Sequence, residues 1–171
     1  MKETLRRMQK KRAAGDSGFT LVELLVVVVI IGVLVAIAVP MYLNYRKGAA
    51  NKSAESDVRA AVSAVEQFYT ENNNKYPDDI PAPGTEGNNV IFKLGSATTG
   101  QQVATLSPGN TLVYKQLAPG TYRICGMNAD GGVVYKYESA VGGSVKKTND
   151  KNLPDCIGAA APSAPSAPAT P

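Results

Sequence analysis

A long apolar run near the N-terminus constrains the fold of this chain more than any other feature. Residues 19–39 are 21 in number, and Glu23 is the only charged one among them. A helix of this length rises about 31 Å, which matches the hydrocarbon thickness of a bilayer. We therefore expect a membrane-spanning helix. Glu23 is a functional-site hypothesis, because a charge near the middle of a bilayer costs about 2.5–3.5 kcal/mol on insertion scales.

A basic segment precedes the apolar run. Residues 1–18 carry six Lys or Arg against Glu3 and Asp16, a net charge of +4, and the whole chain is also +4. Residues 19–171 are therefore neutral. The high pI of about 9.0 comes from the basic segment and is not evidence of a nucleic-acid surface. The positive-inside rule predicts that the basic segment stays in the cytoplasm and that the rest of the chain faces outward.

The junction of these segments carries a specific motif. Its residues, GFTLVE from Gly18 to Glu23 followed by the apolar run, resemble the N-terminus of type IV pilins and their pseudopilin relatives. The resemblance implies cleavage after Gly18 by a prepilin peptidase and N-methylation of Phe19. In a helix, Phe19 and Glu23 lie one turn apart. The new ammonium would therefore lie near its own Glu23 or that of an adjacent subunit, and the family implies the second pairing.

A helix breaker lies inside the predicted membrane helix. Pro40 removes a backbone donor and clashes one turn back at Ala36, so the helix should kink or open there. Gly32 weakens the same stretch. The plain interpretation is a bend at the membrane exit, whereas the family implies that residues 32–40 unwind when helices pack in a filament.

Two ordinary interpretations compete for the N-terminus. One is a secretory signal peptide with an A-x-A cleavage site at residues 36–38, and the other is a single-span anchor. Both leave the pairing of Gly18-Phe19 with Glu23 unexplained, and the helical pattern continues past residue 38.

The helical pattern after Pro40 becomes amphipathic. Apolar residues recur at spacings of three and four on an otherwise polar helix, which predicts one buried stripe. Asn72-Asn73-Asn74 should end the helix, and residues 78–89 should form a loop. The stripe consists of Ala50, Ala54, Val58, Ala61, Val62, Val65, Phe68 and Tyr69.

The second half of the chain is strand-like. Its β-branched and aromatic runs are bounded by Gly, Pro, Asn and Asp, and residues 128–132 suit a hairpin loop. We expect an α+β fold, in which a long N-terminal helix packs on a small antiparallel sheet of about four strands, the ladle architecture of type IV pilins. The predicted strands are residues 90–94, 111–117, 121–127 and 133–138.

Cys125 and Cys156 are the only cysteines. Both are predicted to face outward, where a disulfide would close a loop of about 32 residues and stabilise the head by roughly 3–4 kcal/mol. Such a bridge resembles the C-terminal disulfide-bounded loop of many pilins, and two free thiols are the alternative. The tail, residues 158–171, is rich in Ala, Pro and Ser and should be extended and mobile. Its Ser163, Ser166 and Thr170 are candidate O-glycosylation sites.

Enzyme chemistry finds no support in the sequence. There is no His, no nucleophile motif and no metal-ligand spacing, so we expect no enzyme, cofactor or metal. The head acids are scattered without EF-hand spacing. We also expect no DNA partner, because isolated lysines in a neutral domain usually serve solubility; they are Lys136, Lys146, Lys147 and Lys151.

These observations predict a structural subunit of a type IV pilus-like filament. Its parts would be a cleaved leader (1–18), an assembly helix (19–45), a globular head (46–157) and the tail (158–171). The expected partners are copies of the chain, a prepilin peptidase and an inner-membrane assembly platform with its ATPase motor. The chain would enter the cytoplasmic membrane and then leave it for a surface filament.

Two other functions stay open. One is a pseudopilin of a type II secretion or DNA-uptake machine, and the other is a membrane-anchored extracellular binding domain.

Overall fold

The computed structural model describes residues 19–80, 88–118 and 120–158. The predicted leader with Gly18, most of the loop at 78–89 and the tail with Ser163, Ser166 and Thr170 lie outside these residues. Internal contacts divide the chain into one unit up to Leu43 and a second unit from Asn44 onward. Each unit is described by itself.

A single helix, α1 (Leu21–Glu71, 51 residues), runs through both units. It is continuous through Gly32 and Pro40, so neither residue interrupts the helix here. Asn73 and Asn74 follow its end with φ of 54° and 60°, a left-handed conformation that Asn tolerates better than most residues. The Asn74 N–H donates to the Tyr69 carbonyl at 3.0 Å. The prediction that the asparagine run ends the helix is confirmed.

Two antiparallel sheets and a short helix follow α1. One sheet is the pair β1-β2, and the other has the order β3-β4-β5-β6 with consecutive strands adjacent. The turn between β4 and β5 closes with the Gly132 N–H on the Asn128 carbonyl at 3.0 Å, as the predicted hairpin loop requires. The elements are β1 (Asn89–Phe92), β2 (Gln102–Thr105), β3 (Asn110–Ala118), β4 (Thr121–Asn128), β5 (Val134–Glu138), β6 (Lys146–Lys147) and α2 (Leu153–Ile157).

The main core lies between the second half of α1 and one face of the larger sheet. The predicted stripe supplies Ala54, Val58, Ala61, Val65 and Phe68, all fully or nearly fully buried. The packing is close: a Cβ added at Gly126 would lie 2.5 Å from Val58 Cγ2. The α+β class, with the helix on an antiparallel sheet, is therefore confirmed. The sheet contributes Leu112, Tyr114, Tyr122, Ile124 and Tyr135 to this core.

A second, smaller core covers the opposite face of the same sheet. Alternate residues of the strands point to this side, as the two-residue period of a strand requires. The short helix α2 lies over them and closes the cluster. The members are Val113, Cys125, Val134, Leu153, Cys156 and Ile157.

The sheet assignment differs from the prediction in one respect. The predicted strand at 90–94 was expected in the main sheet, but it corresponds to β1, which pairs with β2. The fourth strand of the main sheet is β6, only two residues long. Neither β2 nor β6 was predicted. The sequence QVAT of β2 has one buried side chain, Ala104, so it carries almost no hydrophobic signal.

Candidate functional site

The first half of α1 exposes its apolar side chains on every side. Every large apolar side chain of the helix up to Leu43 is at least 48% exposed within the chain. By length and composition, α1 is able to cross a membrane, with a most apolar window of mean hydropathy 3.2 that has no buried residue. An apolar surface of this size requires lipid or other protein to cover it.

The N-terminus of this helix is closed by a reciprocal capping box. Thr20 precedes the helix, and its backbone N–H and hydroxyl both donate to Glu23 Oε2, at 2.8 and 2.7 Å. The Glu23 N–H in turn donates to Thr20 Oγ1 at 3.2 Å. This is the Ser/Thr-x-x-Glu arrangement that satisfies two free donors at a helix start.

The capping box gives Glu23 a second partner besides the Phe19 ammonium expected from the sequence. Thr20 in the same chain supplies two donors to its carboxylate. The second carboxylate oxygen, Oε1, accepts no hydrogen bond from the residues that the structure describes. The signal for the cap, Thr three residues before Glu, was present in the motif.

The predicted disulfide is present. Cys125 of β4 and Cys156 of α2 are bonded, with an S–S distance of 2.04 Å. The bridge ties α2 to the outer face of the sheet. The Asn152 side chain caps α2 by accepting from the Asp155 N–H at 2.8 Å, and Gly158 ends it in the left-handed conformation, φ 69°.

Arg123 links the disulfide region to the sheet. Its Nη1 donates to the Cys156 carbonyl and its Nη2 to Glu138 Oε1, both at 3.1 Å. The hydrogen bond and charge of Arg123 hold the pKa of Glu138 below its usual value. The C-terminal segment is therefore held by a covalent bond, a small core and the hydrogen bond from Arg123 to the Cys156 carbonyl.

A buried carboxylate on α1 anchors the chain between β2 and β3. Asp57 is 8% exposed and accepts from the Ser107 N–H at 2.6 Å, the Ser107 hydroxyl at 3.1 Å and Asn110 Nδ2 at 2.5 Å. Asn110 in turn accepts from Asn128 Nδ2 at 2.6 Å. The sequence analysis did not predict this network. The signal that could have indicated it is the charged residue Asp57, which lies next to Val58 of the apolar stripe.

The lysines considered for DNA binding do not form one patch. Lys136 and Lys146 are cross-strand partners, so they share one face of the sheet. Lys147 is paired with Tyr135 and lies on the other face. Within 19–80, 88–118 and 120–158, no group of three or more His, Cys, Asp or Glu is placed to hold a metal ion.

Comparison with known proteins agrees with the N-terminal motif. The family described as the prokaryotic N-terminal methylation motif matches residues 14–39. The type IV major pilin protein PilA of Myxococcus xanthus is 30% identical over 84 residues, which is 48% of this chain and 38% of PilA. The type II secretion system core protein G of Aeromonas hydrophila is 41% identical over 70 residues, 41% of this chain and 46% of that protein. The chain thus spans less than half the length of these two relatives.

Other relatives match well beyond the N-terminal helix, and FimA is one of them. The type IV major fimbrial protein FimA of Dichelobacter nodosus is 31% identical over 136 residues, 63% of this chain and 84% of FimA. The chain belongs to the type IV pilin and pseudopilin family, whose members are structural filament subunits.

Proposed function

We propose that this protein is the structural subunit of a type IV pilus-like filament. The observation that carries the proposal is the exposed apolar half of α1, with a single carboxylate at its start. In the membrane, lipid covers this helix. In a filament, the helices of neighbouring subunits cover one another, and the head, from Asn44 onward, forms the outer surface.

Glu23 has two roles in this proposal. Its Oε2 caps α1, and its Oε1 receives the N-methylated Phe19 ammonium of an adjacent subunit. The pair adds little net stability, because desolvation offsets much of the attraction. It sets the axial register, because a misplaced subunit leaves an unpaired ammonium in a low-dielectric bundle, at a cost of several kcal/mol.

Variants of the capping box separate the two roles. Glu23→Gln keeps an oxygen for the Thr20 donors but removes the charge, whereas Thr20→Val removes the capping hydroxyl and keeps the charge. We expect Glu23→Gln to abolish most filaments and Thr20→Val to reduce them modestly. The readout is the amount of subunit sheared from the cell surface, relative to membrane-bound subunit.

Two controls make this experiment decisive. Glu71→Gln removes a carboxylate at the far end of α1, exposed on the head, and should leave the filament yield unchanged. Mass spectrometry of each sample must show cleavage after Gly18 and methylation of Phe19, because the motif is also the peptidase substrate. A normal filament yield from processed Glu23→Gln protein would contradict the charge-pairing role.

The remaining parts of the proposal follow from family membership and the N-terminal motif. A prepilin peptidase removes residues 1–18, and an inner-membrane assembly platform with an ATPase motor extracts the subunit into the filament. Residues 32–40 unwind during packing, which Pro40 favours because the Ala36 carbonyl lacks its usual backbone donor. In the tail, Ser163, Ser166 and Thr170 are the proposed O-glycosylation sites, on grounds of composition alone.

The pseudopilin alternative is favoured by one observation, the 41% identity to the type II secretion system core protein G of Aeromonas hydrophila over 70 residues. Electron microscopy of surface-sheared material distinguishes the two functions. Long surface filaments at native expression support the pilus subunit. Their absence, together with loss of secreted enzymes or of DNA uptake on deletion, supports the pseudopilin.

A further inference from the structure

Two adjoining clefts lie on the head, beyond the end of α1. The first has a volume of about 520 Å³. The second has about 660 Å³ and shares Asp78 and Gln116 with the first, so the two form one groove. The first cleft is lined by Tyr69, Asn74, Lys75, Tyr76, Asp78, Leu94, Gln116 and Gly120, and the second by Asp78, Asp79, Gln116, Leu117 and Ala118.

The wall of the first cleft contains a rigid aromatic pair. Tyr69 in the last turn of α1 stacks on Tyr76, with ring centroids 4.4 Å apart and an interplanar angle of 29°. Tyr76 in turn contacts the buried ring of Tyr122 at 5.1 Å. Both wall tyrosines are only half-buried. The core therefore holds the pair in place while leaving ring surface open to the groove.

Hydrogen bonds with the backbone hold the polar side chains of the groove in place, and these side chains can still form further hydrogen bonds. Asp78 Oδ2 accepts from the Gly95 N–H, and Asp79 Oδ1 accepts from the Gln116 N–H at 2.7 Å. Gln116 Nε2 donates weakly to the Pro77 carbonyl at 3.3 Å. The Asn74 and Lys75 side chains are exposed and form no hydrogen bond or ion pair with the residues that the structure describes, so both are available to a ligand.

A buried hydroxyl beside the groove also lacks a partner. The Tyr114 side chain is 0% exposed, and its hydroxyl donates to no group in the described ranges. Tyr114 and the lining residue Gln116 are two positions apart on β3 and so share one face of that strand. The Tyr114 ring also contacts Tyr122, which contacts the lining residue Tyr76. An unpaired buried hydroxyl costs about 1–3 kcal/mol. A rotation of Gln116 on ligand binding would give this hydroxyl a partner.

We propose that this groove binds a neutral oligosaccharide. The apolar face of a pyranose ring fits against the exposed surface of Tyr69, and its hydroxyl groups pair with the Asn74 and Gln116 amides and with Asp78. The two adjoining clefts provide room for more than one sugar ring. The inference goes beyond the role of filament subunit and does not depend on it.

The charges of the groove select against other ligands. Among the lining residues that the structure describes, Asp78 and Asp79 oppose Lys75, a net charge of −1, which disfavours an acidic sugar or a nucleic acid. The Lys75 ammonium within the first cleft disfavours a quaternary ammonium ligand of the kind that aromatic cages hold. Within 19–80, 88–118 and 120–158, the lining has only Leu94, Leu117 and Ala118 as apolar side chains beyond the tyrosines, too few to form an apolar trough for a lipid or an amphipathic helix.

The test measures binding of defined hexasaccharides to the full-length subunit. The detergent must have a non-sugar headgroup, because a glycoside detergent would compete for the site. The probes are chitohexaose, cellohexaose and maltohexaose, with hexagalacturonate as the acidic comparator. Saturation-transfer difference NMR detects binding, and isothermal titration calorimetry measures affinity.

Three variants assign the binding to the groove. Tyr69→Ala removes the platform, Gln116→Ala removes an amide, and Asn74→Gly removes the other amide while keeping the left-handed backbone at φ 60°. Asn149→Gly is the matched control, because it removes an exposed amide elsewhere on the head. Each variant must melt at the same temperature as the parent protein to be scored.

We expect at least one neutral hexasaccharide to bind and hexagalacturonate to bind more weakly or not at all. The groove variants should weaken binding by about fivefold to tenfold each, as expected for one lost hydrogen bond or ring contact, and Asn149→Gly should bind as the parent does. No binding of any neutral probe at millimolar concentration would overturn the proposal. Binding that survives Asn74→Gly and Gln116→Ala unchanged would overturn it as well.

Discussion

Replacing Asp57 should destabilise the head more than any other single charge removal on α1. In Asp57→Ala, the Ser107 N–H and one Asn110 amide hydrogen lose their acceptor inside the protein. The Ser107 hydroxyl turns toward solvent, because Ser107 is only half-buried. Each buried donor left unsatisfied costs about 1–3 kcal/mol, so the loss from the two donors should be about 2–6 kcal/mol. This is a large part of a typical domain stability of about 5–15 kcal/mol.

A graded series tests this reasoning. Asp57→Asn keeps one acceptor oxygen and should cost less, about 1–2 kcal/mol. Glu55→Ala is the control two residues earlier. It breaks surface ion pairs to Lys52 and Arg59 at 2.8 and 2.5 Å, which are worth about 0–1 kcal/mol.

The assay is chemical unfolding of the full-length subunit in detergent, followed by near-UV circular dichroism of its tyrosines. The chain has eight Tyr and no Trp, and five of the six rings in mutual contact are tyrosines of the head, so the signal reports the head core. A loss for Asp57→Ala no larger than for Glu55→Ala would refute the buried-network argument.

Three further perturbations have defined outcomes. Cys125→Ser should lower the free energy of unfolding by about 3–4 kcal/mol, and equal stability of the oxidised parent and the variant would contradict this. Gly126→Ala should lower the free energy of unfolding by about 1–3 kcal/mol, because the new methyl group meets Val58. Adding Val58→Ala to the same chain should recover part of this loss. No recovery would show that the contact with Val58 is not the cause. Glu138 has its pKa lowered by Arg123, so its contribution to stability is present above the unfolded pKa of about 4.5 and is lost as the pH falls through the folded pKa. Glu138→Gln should therefore flatten the loss of stability in this acid range, and an unchanged pH profile would argue against the pair.

The elements with strong periodic or chemical signals were predictable from the sequence. The apolar run, the stripe from Ala54 to Phe68 and the asparagine run after Glu71 each correspond to the observed helix or its end. The β3-β4-β5 part of the sheet follows from β-branched and aromatic runs separated by turn residues. The disulfide was predictable because two cysteines facing an oxidising compartment are the simplest pair.

The elements that escaped prediction are short or depend on distant partners. β6 consists of Lys146 and Lys147 and has no hydrophobic pattern; it exists because β5 offers an edge. The helix α2 has five residues, too few for a periodic signal, and its caps and the disulfide hold it. The Asp57 network joins residues more than fifty positions apart, so no local window contains it.

The polar groove at the end of α1 had the weakest sequence signal. Tyr69, Asn74 and Tyr76 are close in the chain, but Gln116 and Gly120 reach them only through the sheet. The two Asn residues at positive φ form the tight helix end that brings Tyr76 back against Tyr69. Tertiary packing, rather than local pattern, makes this surface.

The most direct test of the filament account is the N-terminus of the subunit in material sheared from the cell surface. Peptide mass spectrometry should find an N-terminal peptide that begins at Phe19 and carries one extra methyl group on its amine. This result requires cleavage after Gly18 and retention of the apolar helix in the mature protein. A mature N-terminus at Val39, after the A-x-A sequence at 36–38, would contradict the account, because the assembly helix would then have been discarded as a signal peptide.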